Sequence, residues 1–121
     1  MGDIPSTTRW PINDVAVSLN GARTAAGTVI GSVYIVNNQG VVIKQISYPE
    51  TSITSLAINP SGSKLIAATA GSRIFAFNSQ VTMTWEMFIG GSVTSVALTL
   101  SGNKIDASSG NTVNLLSGDG P

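Results

Sequence analysis

Three segments of the chain read almost alike. Residues 11–27 run PINDVAVSLNGARTAAG, residues 52–68 run SITSLAINPSGSKLIAA, and residues 92–108 run SVTSVALTLSGNKIDAS. The copies are about 40 residues apart, and they share an alanine, a turn glycine, a basic residue and a second alanine. Their matching positions are Ala16, Ala57 and Ala97; Gly21, Gly62 and Gly102; Arg23, Lys64 and Lys104; Ala26, Ala67 and Ala107. A repeat of this length indicates a unit that buries its apolar surface only against its neighbours.

The local pattern within each unit predicts strands. Each unit opens with an alternating or apolar run enriched in β-branched residues, at 14–18, 55–59 and 95–99. The shared glycine follows in a turn, where it supplies a positive φ without steric cost. The next two short strands are so closely spaced that we expect a hairpin. A fourth run begins at Val41 and at Thr82, and no segment has a helical pattern.

Four strands in about 40 residues are typical of a β-propeller blade. The units resemble blades of WD-repeat and quinoprotein-like (PQQ-like) propellers through the pattern V-x-S-V-A-(I/L)-S-x-x-G-x-x-(I/L)-A-A, over residues 12–118. The Gly-His and Trp-Asp dipeptides of WD repeats are absent, and the quinoprotein signature survives only as NSQVTMTW, which ends at Trp85. The resemblance implies an all-β propeller of four-stranded antiparallel blades, with recognition through the loops at one face of the ring.

The units divide the chain into a single partial propeller. We predict a latch strand at 3–10, blade 1 at 11–51, blade 2 at 52–91 and blade 3 at 92–121. Blade 3 lacks a fourth strand, and an unassigned segment precedes the first unit, where a fourth strand would stand. We therefore expect this segment to complete blade 3 of another chain. The candidate residues of this inter-chain latch are Ile4, Ser6, Thr7, Thr8, Arg9 and Trp10.

Three blades do not close a ring, because closed propellers use about four to eight. An open arc would expose an apolar face at each end and leave sheet edges free to associate. We predict a cyclic homo-oligomer with N-terminal strand exchange, in which two chains give six blades and three chains give nine. The dimer is favoured, since two-fold assemblies are the commonest. The competing interpretation is an engineered or excised piece of a longer propeller.

Two positions of the third unit break the repeat. Asp106 stands where the other units have alanine and isoleucine, and Asn114 stands where they have tyrosine and phenylalanine. A buried carboxylate without a partner is costly, so we expect Asp106 to meet Lys104, a neighbouring chain's Arg9 or water. We predict that both substitutions mark the junction between chains.

The composition argues against several kinds of chemistry. Six basic and six acidic residues cancel without a basic cluster, so no nucleic-acid partner is expected. The absence of histidine and cysteine removes the commonest general base and the commonest metal ligands. The carboxylates are single, and Asp14, in a first strand, is the best candidate for a site at the ring axis. Because the matching residues are serines, we interpret Asp14 as a solvated residue of a wet channel.

The remaining features favour binding over catalysis. Trp10 and Trp85 could stack on a sugar, although a tryptophan in an outer strand more often packs between blades. No apolar run reaches the roughly 18 residues of a membrane helix, and NNQG and SGDG lack the acids of a calcium loop. The sequence therefore predicts a non-enzymatic interaction or scaffold module, without cofactor or metal, whose first partner is itself. A protein or glycan ligand, a carbohydrate-binding propeller and a fragment without any ligand remain open.

Overall fold

The computed structural model describes residues 11–18, 21–47, 52–89, 91–99, 101–109 and 111–117. Within these ranges the chain forms eleven β-strands in three antiparallel sheets, and none of the described residues is helical. Among them there is accordingly no helix long and apolar enough to cross a membrane. The prediction of an all-β chain is confirmed for this part of the sequence.

Each sheet contains the strands of one unit in chain order, and we call the three sheets blade 1, blade 2 and blade 3. Blade 1 consists of β1 (Ile12–Val17), β2 (Arg23–Thr28), β3 (Ser32–Asn37) and β4 (Val42–Ser47). Blade 2 consists of β5 (Ile53–Ile58), β6 (Leu65–Thr69), β7 (Arg73–Phe77) and β8 (Met83–Phe88). Blade 3 consists of β9 (Val93–Leu98), β10 (Lys104–Ser109) and β11 (Thr112–Ser117). The four-stranded antiparallel blade is thus confirmed in two complete copies.

The predicted latch at residues 3–10 lies outside the described residues, and so do Ile4, Ser6, Thr7, Thr8, Arg9 and Trp10. Strand exchange therefore stays a prediction, as do the outer boundaries of the blades.

The hairpins reproduce the sequence repeat residue by residue. Tyr34 pairs with Ala26 in blade 1, and Phe75 pairs with Ala67 in blade 2. Asn114 takes the same place opposite the matching alanine of blade 3. Because the register is the same three times, a residue in one blade identifies its counterparts in the other two.

The turn glycines adopt the predicted backbone conformation. The φ angles of Gly21, Gly62 and Gly102 are 71°, 75° and 77°, in the left-handed region that suits glycine. In all three turns the glycine N–H donates to the carbonyl three residues earlier at 2.9 Å. This shared turn fixes how the first strand of each blade returns into the second.

In the part of the chain that the structure describes, the core consists of two apolar clusters, one on each face of blade 2. The cluster between blades 1 and 2 includes Ala25, Val33, Ile35, Ile53, Leu56, Leu65, Ala67, Phe75, Phe77 and Val81. The cluster between blades 2 and 3 includes Ile66, Ala68, Ile74, Ala76, Val93, Val96, Ile105 and Ala107. Each fully buried isoleucine or phenylalanine contributes about 1.5–3 kcal/mol relative to an exposed side chain. A blade is therefore stabilised mainly by its neighbours on either side.

The first strands of successive blades lie against one another, β1 against β5 and β5 against β9. This brings them together at the inner side of the arc, where a propeller has its axis. In the outer strand β8, Trp85 is half-buried and packs on the cluster between blades 2 and 3. Trp85 thus serves the packing between blades that the sequence predicted for it.

Candidate functional site: the outer faces of the first and third blades

One hydrogen bond per interface links the first strands of neighbouring blades through a side-chain acceptor. A carboxylate oxygen of Asp14 accepts from the Leu56 N–H at 2.8 Å, and Ser55 Oγ accepts from the Val96 N–H at 3.2 Å. Asp14 is therefore half-buried and bonded to blade 2, which corrects its interpretation as a solvated channel residue. Its counterpart in blade 3 is Ser95, which is exposed.

The preceding residue supplies a second bond, in which the side chain is the donor. Asn13 Nδ2 donates to the carbonyl of Ile53 at 3.1 Å, and Thr54 Oγ1 donates to the carbonyl of Val93 at 2.6 Å. Their counterpart in blade 3 is Thr94, whose hydroxyl donates within the blade to the Ser108 carbonyl at 3.2 Å. Sequence reasoning missed these residues, although each unit has a side-chain donor followed by a side-chain acceptor at this place.

The shared basic residue also reaches the next blade. Lys64 Nζ donates to the carbonyl of Gly102 in blade 3 at 3.0 Å. The guanidinium group of Arg23 in blade 1 donates to the carbonyl of Ser79 in blade 2. Lys104, the third residue of this set, is exposed on blade 3. The chain therefore makes the same kind of interface twice, with an apolar cluster and polar links to backbone groups.

The outer side of blade 3, facing away from blade 2, is the first candidate surface. We call it the exit face, and it contains Ala97, Lys104, Asp106, Val113 and Leu115. Leu115 pairs with Asp106 across the hairpin, so the two side chains lie on the same side of the sheet. Val113 is 72% exposed and Leu115 is 66% exposed. The two residues are neighbours on one side of β11, and contiguous exposed apolar side chains are typical of a surface that binds another one.

A depression of about 250 Å³ lies on the exit face. It is lined by Ala97, Leu98, Thr99, Lys104, Asp106 and Leu115. Lys104 and Asp106 border it together, but within the described part of the chain they form no ion pair. The depression thus combines apolar walls with one charge of each sign.

The outer side of blade 1 is the second candidate surface, and we call it the entry face. It contains Ile12, Val15, Val17 and Thr24, at the positions of Ile53, Leu56, Ile58 and Leu65 in blade 2. Those four blade 2 residues pack towards blade 1 in the first apolar cluster. On blade 1, by contrast, Val15 and Val17 are each 59% exposed. The entry face therefore consists of the positions at which each of the other two blades packs against the blade before it.

The two predicted junction residues lie on different sides of blade 3. Asp106 is exposed on the exit face. Asn114 is half-buried opposite Ala107, whose side chain packs towards blade 2, and its amide lies 3.4 Å from the Ala107 carbonyl. Of the two, only Asp106 lies on the exit face, and a role of either residue at a junction between chains stays a prediction.

The other polar groups singled out by the sequence lie in turns or at blade edges. Asn37 Oδ1 accepts from the backbone N–H groups of Gln39 and Val41, at 2.9 and 3.0 Å, which makes NNQG a closed turn. Glu86 lies 3.7 Å from Arg73 on the outer strands of blade 2. Among the described residues no group of three or more metal-ligating side chains occurs.

Three antiparallel sheets that stack face to face, with their first strands together, are β-propeller blades. Solved structures agree: the β-propeller domain of Myceliophteria thermophila Cps50 (Swd1) matches with a TM-score of 0.83 at 20% identity, over 95% of this chain and 36% of that one. The WD40 repeats of RRP9 match with a TM-score of 0.85 at 12% identity, over 93% and 37% of the two chains. Kuenenia stuttgartiensis hydrazine synthase matches with a TM-score of 0.80 at 14% identity, over 93% and 34%.

The predicted resemblance to WD-repeat propellers is thereby confirmed at the level of the fold. The chain spans about a third of the length of each of these structures. No protein-family model matches the sequence, and no curated protein is significantly similar to it.

Proposed function

We propose that the chain is a non-enzymatic β-propeller interaction module, in which a second copy completes the ring. The observation that carries the proposal is the match between the two outer faces. The exit face presents the positions that blades 1 and 2 direct towards their successors. The entry face presents the positions that blades 2 and 3 direct towards their predecessors. The exit face of one copy can therefore pack against the entry face of a second copy in the way that consecutive blades pack within the chain.

The physical driving force is the burial of apolar side chains. Leu115 and Val113 on one face, and Val15 and Val17 on the other, each expose more than half of their side-chain surface. Removing apolar surface from water contributes about 25 cal/mol per Å². The exposed Ser95 and Thr94 would supply the two links made by Asp14 and Asn13 inside the chain. They would bond to the Val15 N–H and the Ile12 carbonyl of the second copy.

An exit face that joins an entry face is a head-to-tail contact, which forms a ring when the rotation closes. Two arcs of three blades give a six-bladed ring, and three arcs give a nine-bladed one. We favour two copies, because six lies within the usual range of closed propellers, about four to eight blades. In this assembly residues 3–10 of one copy would add the fourth strand to blade 3 of the other. The order of the third sheet supports this, because β11 is its outermost strand among the described residues and an outermost strand can pair with a further one.

A second candidate is a piece of a longer propeller, whose other blades cover both faces. It is favoured by the share of the matched structures that the chain spans, 34% to 37%. A carbohydrate-binding propeller has less support, because Trp85 packs between blades 2 and 3. In either ring, a protein or glycan ligand would bind at the loops of one ring face.

The experiment is a comparison of molar mass between the parent chain and one variant on each of two surfaces. Leu115→Glu places a charge on the exit face, and we expect it to convert an oligomer of 12.4 kDa chains into monomers. Phe88→Glu is the matched control, since Phe88 is 62% exposed but lies on the outer strand of the central blade. A parent mass equal to one chain contradicts the proposal, and so does an oligomer that survives Leu115→Glu.

A further inference from the structure

At each interface, one repeat position of a blade faces another repeat position of the next blade. Apolar residues occupy this pair of positions at both interfaces inside the chain, whereas polar residues occupy it on the two outer faces. Between blades 1 and 2, Ala25 and Leu65 belong to the same apolar cluster and line the same small cavity. Between blades 2 and 3, the corresponding residues Ile66 and Ile105 share the second cluster. The pair that remains consists of Asp106, in the position of Ala25 and Ile66, and Thr24, in the position of Leu65 and Ile105.

The cavity between blades 1 and 2 shows how such a pair meets. Blade 1 lines it with Arg23, Thr24, Ala25 and Ile35, and blade 2 contributes Ile58, Leu65 and Val81 among others. On the exit face, Lys104, Asp106 and Leu115 occupy the positions of Arg23, Ala25 and Ile35. All three line the depression there. It is therefore one half of an inter-blade contact. By repeat position, the wall opposite Asp106 would come from Val17, Thr24 and Gly40 of a blade 1.

We propose that Asp106 of one copy accepts a hydrogen bond from the Thr24 hydroxyl of the second copy, and that this pair selects the head-to-tail junction. The inference rests on the proposed ring. An ionised carboxylate only accepts hydrogen bonds and a threonine hydroxyl can donate one, so the two groups are complementary. A leucine or isoleucine at position 24, as in the other two blades, would leave the carboxylate buried without a donor.

Lys104 adds a second contact to the same junction. Its counterpart Lys64 donates to the carbonyl of Gly102, the turn glycine of the next blade. In the ring, Lys104 would donate to a turn carbonyl of the second copy: that of Gly21 if it follows Lys64, or that of Asn38, at the position of Ser79, if it follows Arg23. The Lys104 ammonium would then lie beside the Asp106 carboxylate and reduce the cost of covering it.

The pair also penalises wrong pairings of blades. A copy that placed its exit face against another exit face would bring two Asp106 carboxylates together without the Thr24 hydroxyl as a donor. Specific interfaces commonly combine a favourable contact with such a penalty for the wrong partner. Asp106 and Thr24 therefore favour contact between the exit face of one copy and the entry face of another.

A double-mutant cycle on the full chain tests the pair. Asp106→Ile and Thr24→Leu each remove one partner, and together they recreate the apolar pair found inside the chain. We expect each single variant to raise the dimer dissociation constant about a hundredfold, because the ring has two identical junctions and each loses one hydrogen bond to a charged group, worth about tenfold. The double variant should return to within about threefold of the parent, since contacting residues couple and distant ones add. Glu86→Ile on blade 2 is the control, with an unchanged constant.

Engineered disulfides give an independent reading that does not depend on how stable the variants are. The chain has no cysteine, so every cross-link in the variant with Thr24→Cys and Asp106→Cys involves these positions, and the two single-cysteine variants report any 24–24 or 106–106 link separately. We expect a covalently linked dimer on a non-reducing gel, whereas Glu86→Cys with Thr24→Cys should stay a single chain.

The outcomes separate the pair from the ring. A parent chain that is monomeric at every concentration overturns both the ring and the pair. A dimeric parent in which the two substitutions have additive effects, and in which the cysteines do not cross-link, overturns the pair alone. A constant that rises only on Asp106→Ile would mean that Lys104 or water is the partner, which also contradicts the proposed bond to Thr24.

Discussion

The carboxylate of Asp14 in blade 1 accepts a hydrogen bond from the backbone N–H of Leu56 in blade 2, at 2.8 Å. The bond joins the two inner strands at a half-buried site. Its loss would leave the Leu56 N–H without its acceptor between two packed blades.

We expect Asp14→Ala to lower the free energy of unfolding by about 1–3 kcal/mol, the usual cost of leaving a buried donor unsatisfied. Asp14→Ser should lose less, because serine makes the same kind of bond at position 55. Urea unfolding followed by circular dichroism measures both values. Equal losses for the two variants would show that the acceptor does not matter here.

A substitution of Ser95 tests whether the side-chain to backbone bond that Asp14 makes within the chain also forms between two copies. We expect Ser95→Ala to raise the dimer dissociation constant by about thirtyfold, because one hydrogen bond of about 1 kcal/mol is lost at each of the two junctions of the ring. Sedimentation equilibrium over a dilution series measures the constant. Ser101→Ala, in an exposed turn of the same blade, is the control. A constant that Ser95→Ala leaves unchanged would argue against Ser95 as an acceptor at the junction.

Gly27 allows blades 1 and 2 to approach closely. A Cβ atom added there would meet Ile53 Cγ2 and would lie 2.8 Å from Ile53 Cβ, closer than real contacts. We expect Gly27→Ala to cost about 1–3 kcal/mol of stability through overpacking.

Gly21 is the contrasting glycine, because an added Cβ would have nothing within 4 Å and only the φ of 71° is strained. Gly21→Ala should cost about 1–2 kcal/mol for the left-handed backbone. Combining each variant with Ile53→Ala distinguishes the two causes by chemical denaturation. The cost of Gly27→Ala should shrink in the Ile53→Ala background, while that of Gly21→Ala should stay the same. Additivity in both pairs would contradict the steric explanation for Gly27.

Blade 2 has non-glycine residues at two turn positions where blade 1 has glycine. Ser72 has a φ of 73°, and its counterpart Gly31 has a φ of 87°. We expect Ser72→Gly to stabilise the chain by up to about 1.5 kcal/mol. This is the left-handed penalty of about 1–2 kcal/mol less the entropy cost of glycine, about 0.5–1 kcal/mol.

Val81, with a φ of 60°, should respond in the opposite direction, because its side chain is buried in the first apolar cluster. We expect Val81→Gly to destabilise the chain, since the lost burial outweighs the relieved strain. Thermal unfolding of both variants measures the two signs. Destabilisation by Ser72→Gly would mean that the positive φ at that turn carries no strain.

Much of the fold could be predicted because the repeat makes local patterns appear three times. The shared glycines gave the turns, and the register of Ala26 with Tyr34 follows from the same alignment. The links between blades could not be predicted in this way. Asp14 forms its bond with a backbone group 42 residues away, and no local pattern reports which group a side chain meets across an interface.

The same limit applies to the candidate junction. The break in the repeat at Asp106 was visible in the sequence. Thr24, the residue proposed to face Asp106 across the junction, was not recognised there. The repeat aligns Thr24 with Leu65 and Ile105, but only the packing shows that these two residues lie at the interfaces between blades. Asn114 breaks the repeat as clearly, yet it lies on the side of blade 3 that faces blade 2.

The central claim is that two arcs of three blades close one ring, and the molar mass in solution tests it most directly. Sedimentation equilibrium of the unmodified chain at micromolar concentration should give about twice the chain mass of 12.4 kDa. The mass should also be independent of concentration above the dissociation constant, because a closed ring has no free face for further growth. A stable, soluble monomer of 12.4 kDa, or a mass that keeps rising with concentration, would contradict the account.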